Sequence, residues 1–169
     1  MRRYHAGLAL YACILVPLAS ATTYYVRTDG NDAADGLTWA TAKASPNAGV
    51  AAATNIGDLV IVSNGTYTLT NTITLTKGIT LQSADNDYAT VLFDGGGVRR
   101  CLSLAATATN GLVSGITCTN GASTDGGGIL ISGQATVSNC LITRCSSPGR
   151  GGGVRMTSGQ LINCIVSSN

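Results

Sequence analysis

Residues 125–154 read DGGGILISGQATVSNCLITRCSSPGRGGGV, a stretch with a glycine triplet near each end. The first triplet, Gly126–Gly128, returns as Gly151–Gly153 after a step of 25 residues. The alternating apolar residues that follow each triplet return with it, so that Ile129 corresponds to Val154. A structural unit must therefore recur once in each step.

The repeat predicts a solenoid of short β-strands. Helical repeats are longer and do not tolerate three consecutive glycines, and residues 134–143 lack the leucines of a leucine-rich repeat. Instead, short runs alternate apolar and polar residues and are interrupted by Gly, Asn and Ser. Three strands and three turns fill about 25 residues at roughly 3.3 Å per strand residue. The prediction is an all-β fold, a right-handed parallel β-helix.

In such a solenoid each residue lies above its equivalent in the neighbouring coil, so a turn that requires glycine requires it in every coil. A strict 25-residue step places Asp125 beside Arg150 and predicts an exposed ion pair between them. The same step predicts one column that contains Asn120, Cys145 and Asn169.

The N-terminus has the pattern of a secretory signal peptide. A basic start is followed by the apolar run 6–18, which is too short to span a bilayer, and by Ala19-Ser20-Ala21, a small-residue cleavage pattern. We predict a signal peptide at residues 1–21, cleavage after Ala21, and a secreted or cell-surface protein. An uncleaved membrane anchor is the alternative.

Cleavage changes the chemistry that the chain can perform. Eight Lys and Arg residues then face eight Asp residues, so the net charge is near zero and nucleic acid is not an expected partner. The remaining chain has no His and no Glu. Histidine-dependent triads, histidine metal sites and glutamate acid–base pairs are therefore excluded from it.

An odd number of cysteines remains after cleavage, and their spacing is not that of a zinc site. Cys140 and Cys164 lie in matching contexts and follow the repeat. Two interpretations stay open, namely stacked buried thiols or a disulfide between neighbouring coils. The five residues are Cys101, Cys118, Cys140, Cys145 and Cys164.

Four segments near the N-terminus form a recognisable series: Tyr24-Tyr25-Val26, the Asp/Gly-rich turn at 29–36, GDLVIV at 57–62, and Asn64-Gly65-Thr66-Tyr67. This series resembles the N-terminal region of right-handed parallel β-helix proteins of the pectin-lyase-like superfamily. The later glycine-triplet and Ser-Asn-Cys units resemble the repeats of large secreted and surface β-helix proteins. The resemblance implies a first strand, a capping helix and then the coils.

The predicted organisation follows from these patterns. Residues 1–21 are the signal peptide, residues 22–57 form a cap, and residues 58–169 form coils that are incomplete at the C-terminus. Ser45 and Pro46 are typical of a helix start, so a short helix is expected near residues 46–54, with Trp39 as its large apolar contact.

The cap contains one group of residues with metal-like chemistry. Asp29, Asn31, Asp32 and Asp35 offer hard oxygen ligands and predict a possible calcium site. The same residue types beside glycine are also ordinary in turns. No other cofactor is predicted.

The resemblance does not supply a catalytic site. Pectate-lyase relatives use an aspartate–calcium cluster with a basic residue, and polygalacturonase relatives use several close aspartates. After Phe93 this chain has only Asp94 and Asp125 as acids. No catalytic residue is therefore predicted, and this segment is not expected to be an enzyme.

Three functions remain open. The first is a non-catalytic display, adhesion or carbohydrate-binding scaffold, with a polysaccharide or cell-surface glycan as partner. The second is the N-terminal part of a pectate-lyase-like or polygalacturonase-like enzyme, and the third is an autotransporter-like passenger domain. Because the sequence stops within a coil, further C-terminal coils of the same protein are also expected as a partner.

Overall fold

The structure, a computed structural model, describes residues 20–169, so most of the predicted signal peptide lies outside the described residues. The chain forms a parallel β-solenoid of short strands with one short α-helix, as predicted. The elements, in chain order, are β1 (Thr23–Val26), α1 (Pro46–Ala52), β2 (Leu59–Val62), β3 (Gly65–Thr68), β4 (Ile73–Leu75), β5 (Thr80–Ser83), β6 (Val91–Asp94), β7 (Leu102–Leu104), β8 (Leu112–Ser114), β9 (Thr117–Thr119), β10 (Ile129–Ile131), β11 (Thr136–Ser138), β12 (Leu141–Thr143), β13 (Val154–Met156), β14 (Gln160–Ile162) and β15 (Ile165–Ser167).

The strands form three sheets that run along the solenoid. Sheet A has the order β1-β2-β5-β8-β11-β14, sheet B has the order β3-β6-β9-β12-β15, and sheet C has the order β4-β7-β10-β13. Every strand pair is parallel. Each coil contributes one strand to each sheet, which is the three-strand unit that the repeat predicts.

The step between coils differs from sheet to sheet. In sheet C, Ile129 pairs with Val154, which is 25 residues away, whereas in sheet A Thr136 pairs with Gln160, which is 24 residues away. The turn between these sheets is therefore one residue shorter in the last coil. The register of the glycine triplets is confirmed, since the N–H of Gly127 donates to the carbonyl of Gly151 at 3.2 Å.

The shorter step shows that one predicted column is wrong. Thr119 pairs with Thr143, so Asn120 lies beside Arg144 rather than beside Cys145. Continuing the registers by one residue places Gly121, Cys145 and Asn169 in one column. The side chain of Asn169 does contact this column, because its Oδ1 accepts from the N–H of Cys145 at 2.9 Å.

The partner predicted for Asp125 is also wrong, although the register is right. Asp125 and Arg150 are bridge partners in adjacent coils. The N–H of Arg150, not its guanidinium, donates to Asp125 at 3.0 Å, and the ion pair of Asp125 is with Arg155. Arg155 lies on β13, whose neighbouring strand β10 follows directly after the Asp125 turn, so it reaches the carboxylate from the next coil.

The glycine triplets recur because the turns leave no room for a side chain. Gly126 and Gly151 have φ values of 61° and 67°, a left-handed conformation that favours glycine. A Cβ atom on Gly128 would lie 2.6 Å from the carbonyl oxygen of Gly153 and 2.9 Å from the sulfur of Cys145. Stacked coils therefore approach each other through bare backbone at this corner.

The core runs along the axis of the solenoid and is built by alternation within the strands. In β6, Val91 and Phe93 are fully buried, whereas Leu92 and Asp94 between and after them are partly exposed. The buried residues of successive coils form one continuous cluster from Val26 to Cys145.

The N-terminal cap has the predicted helix but a different aromatic contact. Ser45 caps α1, because its hydroxyl accepts from the N–H of Ala48. The helix packs closely on the first strands, since a Cβ on Gly49 would lie 2.5 Å from Val26. Trp39 does not support this helix as predicted. It lies in a separate 3-10 turn and packs on Tyr25, with ring centroids 4.6 Å apart.

Helices that could cross a bilayer were sought in residues 20–169, and none is both long and apolar enough.

Candidate binding site

A groove lies on the outer face of sheet B and is the candidate functional site. Its volume is about 480 Å³, which is within the usual size of ligand sites. We call it the sheet B groove, and it is lined by Thr66, Tyr88, Ala89, Leu92, Asp94, Thr117, Thr119, Asn120, Leu141, Thr143 and Arg144.

The apolar part of the groove consists of a floor and a wall. Leu92 on β6 and Leu141 on β12 are partly exposed because alternation points them away from the core. Tyr88 belongs to the loop between β5 and β6 and is half-buried. The hydroxyl of Thr117 donates to the carbonyl of Tyr88 at 2.8 Å, which fixes this loop beside the strands.

The acceptor in the groove is the carboxylate of Asp94. Its Oδ1 accepts from the N–H of Gly96 at 2.8 Å and from the amide of Asn120 at 3.1 Å. Within residues 20–169 no hydrogen bond or ion pair engages the other oxygen, Oδ2. Asp94 is therefore held in position by one oxygen and offers the other to a ligand.

The donor in the groove is Arg144, which has an unusual backbone conformation. Its φ is 54°, in the left-handed region, where most of the other non-glycine residues with positive φ in residues 20–169 are Asn. Arg has no side chain suited to this conformation, so it is strained by comparison with the Asn that precedes it in the column, Asn120. Arg144 is exposed, and neither ion pair of the described residues involves it.

The predicted calcium ligands are occupied by local bonds. Asp32 accepts from the N–H of Ala44 and from the N–H and hydroxyl of Ser45, and Asp29 pairs with Arg27. Asp35 accepts from the N–H of Leu37 and the hydroxyl of Thr41, and these bonds lower the pKa of its carboxyl. Asn31 accepts from the N–H of Ala33.

These four residues therefore fit a bonded turn better than a converging ligand set. Across residues 20–169, groups of three or more Asp, Glu, His or Cys side chains able to hold a metal ion do not occur. Calcium binding would require the turn to exchange its internal hydrogen bonds for metal ligands, and the calcium site stays a prediction.

The five described cysteines are all free thiols. Cys140 and Cys164 are equivalent positions of adjacent coils, as the repeat predicts, because Ser138 pairs with Ile162 and Leu141 with Ile165. Cys140 is buried and Cys164 is half-buried. A hydrogen bond from the Cys140 thiol lowers the pKa of Cys164 to about 6, whereas the pKa of Cys140 is raised by the same contact and by burial.

Two other surface features were compared with the groove. A cavity of about 300 Å³ lies between α1 and β4, and Lys77 is its one charged lining residue. The Tyr25–Trp39 pair presents an exposed aromatic surface, with Trp39 40% exposed. Among these features, only the sheet B groove combines an aromatic wall with a charged acceptor and a charged donor.

Sequence reasoning missed this groove. The alternation of β6, β9 and β12 contains the information that Leu92, Thr119 and Leu141 face outward. The position of the loop that carries Tyr88 depends on a turn without a repeat equivalent, and the strain at Arg144 depends on the 24-residue step. Neither is visible from the 25-residue spacing of the triplets.

Comparison with known proteins gave no match to a protein-family model, to a curated protein or to a solved structure.

Proposed function

We propose that this chain is a secreted or cell-surface β-helix protein that binds carbohydrate without cleaving it. The observation that carries the proposal is the sheet B groove, in which an aromatic residue, an apolar floor and two charged hydrogen-bonding groups line one concave surface. Membership of the pectin-lyase-like superfamily is part of the proposal, on the basis of the N-terminal segments described above.

The chemistry of the groove suits a sugar. A pyranose ring has an apolar face and a rim of hydroxyl groups, each of which both donates and accepts. Tyr88 and Leu92 offer surface to the apolar face, Asp94 accepts from a hydroxyl, and Arg144 donates to one. Sites of this kind generally combine an apolar lining with a few placed polar groups.

The proposed absence of cleavage is supported by the acids of the groove. Most glycoside hydrolases use two carboxyl groups on opposite sides of the scissile bond, about 5 to 9.5 Å apart. Asp94 is the only acid that lines the groove, and its carboxylate is bonded to Gly96 and Asn120. A second acid for proton transfer is not present among the lining residues.

The test is binding of purified protein to an array of neutral and uronic-acid-containing oligosaccharides. Tyr88→Ala is expected to weaken binding about tenfold or more, because it removes the aromatic wall. Trp39→Ala is the matched control, since Trp39 is the exposed aromatic residue of a different surface.

Three results would contradict the proposal. Binding to none of the glycans would remove the proposed function. Loss of binding in Trp39→Ala but not in Tyr88→Ala would move the site to the cap. Release of new reducing or unsaturated ends from a bound glycan would show that the protein is an enzyme.

A further inference from the structure

Asp58 is a buried carboxylate with no cationic partner in the described part of the chain. It has no solvent exposure, and it takes part in neither ion pair of residues 20–169. Its two oxygens accept from backbone N–H groups, Oδ1 from Thr22 and Oδ2 from Asn55, each at 2.8 Å. A buried carboxylate that lacks an opposite charge is unfavourable, because hydrogen bonds alone replace only part of its hydration.

One of these two donors lies at the predicted cleavage point. Thr22 is the residue that follows Ala21, and it precedes β1 directly. Its carbonyl accepts from the N–H of Leu59 at 2.9 Å, so both backbone groups of Thr22 are held against the beginning of β2. Ser20 and Ala21 are exposed, whereas Thr22 is half-buried.

We propose that cleavage between Ala21 and Thr22 supplies the missing cation, with the new α-ammonium group of Thr22 forming an ion pair with Asp58. This inference rests on the secretion and cleavage that are part of the proposed function. Hydrolysis adds one water to the peptide bond and yields the carboxylate of Ala21 and the ammonium of Thr22. The neutral N–H that donates to Asp58 thereby becomes a charged donor at the same place, so removal of the signal peptide strengthens the first coil.

The ion pair predicts a pH dependence with a definite sign. An α-amino group has an ordinary pKa of about 7.7–8.0, and a neighbouring carboxylate raises it in the folded state. The stabilisation is therefore fully present below about pH 7.7 and is lost as the pH rises through the higher folded value. The other titratable side chains on elements packed near this point are Tyr24 on β1 and Lys77 beside β5, and side chains of these types keep one charge state between about pH 6 and pH 9.

The test compares two forms of the protein, one that begins at Thr22 and one that retains Ser20 and Ala21, each with Asp58 and with Asp58→Asn. At pH 6.5 the form that begins at Thr22 is expected to unfold about 2–4 °C higher than the extended form. The difference is expected to disappear in Asp58→Asn and to decline for the native sequence above about pH 8. Acetylation of the Thr22 amine is the matched chemical control and is expected to lower the midpoint to that of the extended form.

Equal midpoints for the two forms, or a difference that survives in Asp58→Asn, would overturn the inference. If Asp58→Asn does not fold, the pKa of ¹⁵N-labelled Thr22 amine in the native protein decides, because an unshifted value would also overturn it. N-terminal sequencing of the exported full chain tests the cleavage separately. A product that does not begin at Thr22 would refute the processing step, whereas absence of glycan binding would refute only the carbohydrate part of the proposed function.

Discussion

Arg144 is the residue at which the backbone and the groove make opposite demands. Its left-handed conformation suits Asn, yet its guanidinium is the charged donor of the groove. We therefore expect Arg144→Asn to raise the free energy of unfolding by up to about 1 kcal/mol, since it removes backbone strain. Glycan affinity is expected to fall about tenfold with the loss of a charge-assisted hydrogen bond.

Arg150→Asn is the matched control for this prediction. Arg150 is equally exposed, but it does not line the groove and does not have a left-handed backbone. Denaturant unfolding and titration with the glycan identified on the array measure the two effects. A destabilised Arg144→Asn protein with unchanged affinity would show that Arg144 serves the fold and not the ligand.

Gly127 tests how closely the coils approach. A Cβ atom there would lie 2.1 Å from the carbonyl oxygen of Ser146 and 2.5 Å from that of Gly152. Because both neighbours are backbone atoms, we expect Gly127→Ala to destabilise the protein by about 3 kcal/mol. Gly97→Ala is the control: it has a φ of 72° with nothing within 4 Å, and is expected to cost about 1 kcal/mol. Equal losses in chemical denaturation would contradict this account of the triplet.

At the scale of the elements, the strands and α1 follow from sequence, whereas the turns follow only in part. Alternation identifies strands such as β10 and β12, and Ser45-Pro46 identifies the beginning of α1. The exact register does not follow, because one residue fewer between β13 and β14 moves Arg144, and not Cys145, beside Asn120. The groove depends on that register and on the loop of Tyr88, and therefore was not predictable from the repeat.

The turn between sheets A and B carries the stacked cysteines and gives a prediction about their reactivity. We expect Cys164 to be alkylated first in the native protein at pH 7, since it is half-buried and its pKa is lowered to about 6. The other described cysteines are buried, and the pKa values of Cys101, Cys140 and Cys145 are raised. Mass spectrometry after brief treatment with iodoacetamide measures the order of reaction.

Unfolding without a reductant then tests the interpretation of these residues as thiols. All five cysteines after the predicted cleavage are expected to react, and reaction of three or fewer would demonstrate a disulfide. Cys140→Ala is expected to cost on the order of 1 kcal/mol through lost burial. Cys164→Ala, at the equivalent but less buried position, is the matched comparison and is expected to cost less.

For the whole molecule, we expect no cleavage of pectic or related polysaccharides by this chain. Its described acids after Phe93, Asp94 and Asp125, are bonded to Asn120 and to Arg155 respectively and lie on different faces of the solenoid. An assay for reducing and unsaturated ends checks this expectation, with heat-denatured protein as the blank. Activity that disappears on replacement of Asp94 or Arg155 would refute it.

The in-register stacking of the last coils has a consequence for how such a chain can change its length. A segment cut at equivalent points, such as residues 130–154, begins and ends at the same position of the coil, since Ile129 pairs with Val154. A tandem in-frame duplication of the corresponding DNA would therefore insert a complete rung and lengthen the rod by about 4.8 Å. Unequal recombination between neighbouring repeats can thus add or remove rungs while every strand keeps a partner, and only the distance between the two ends of the rod changes.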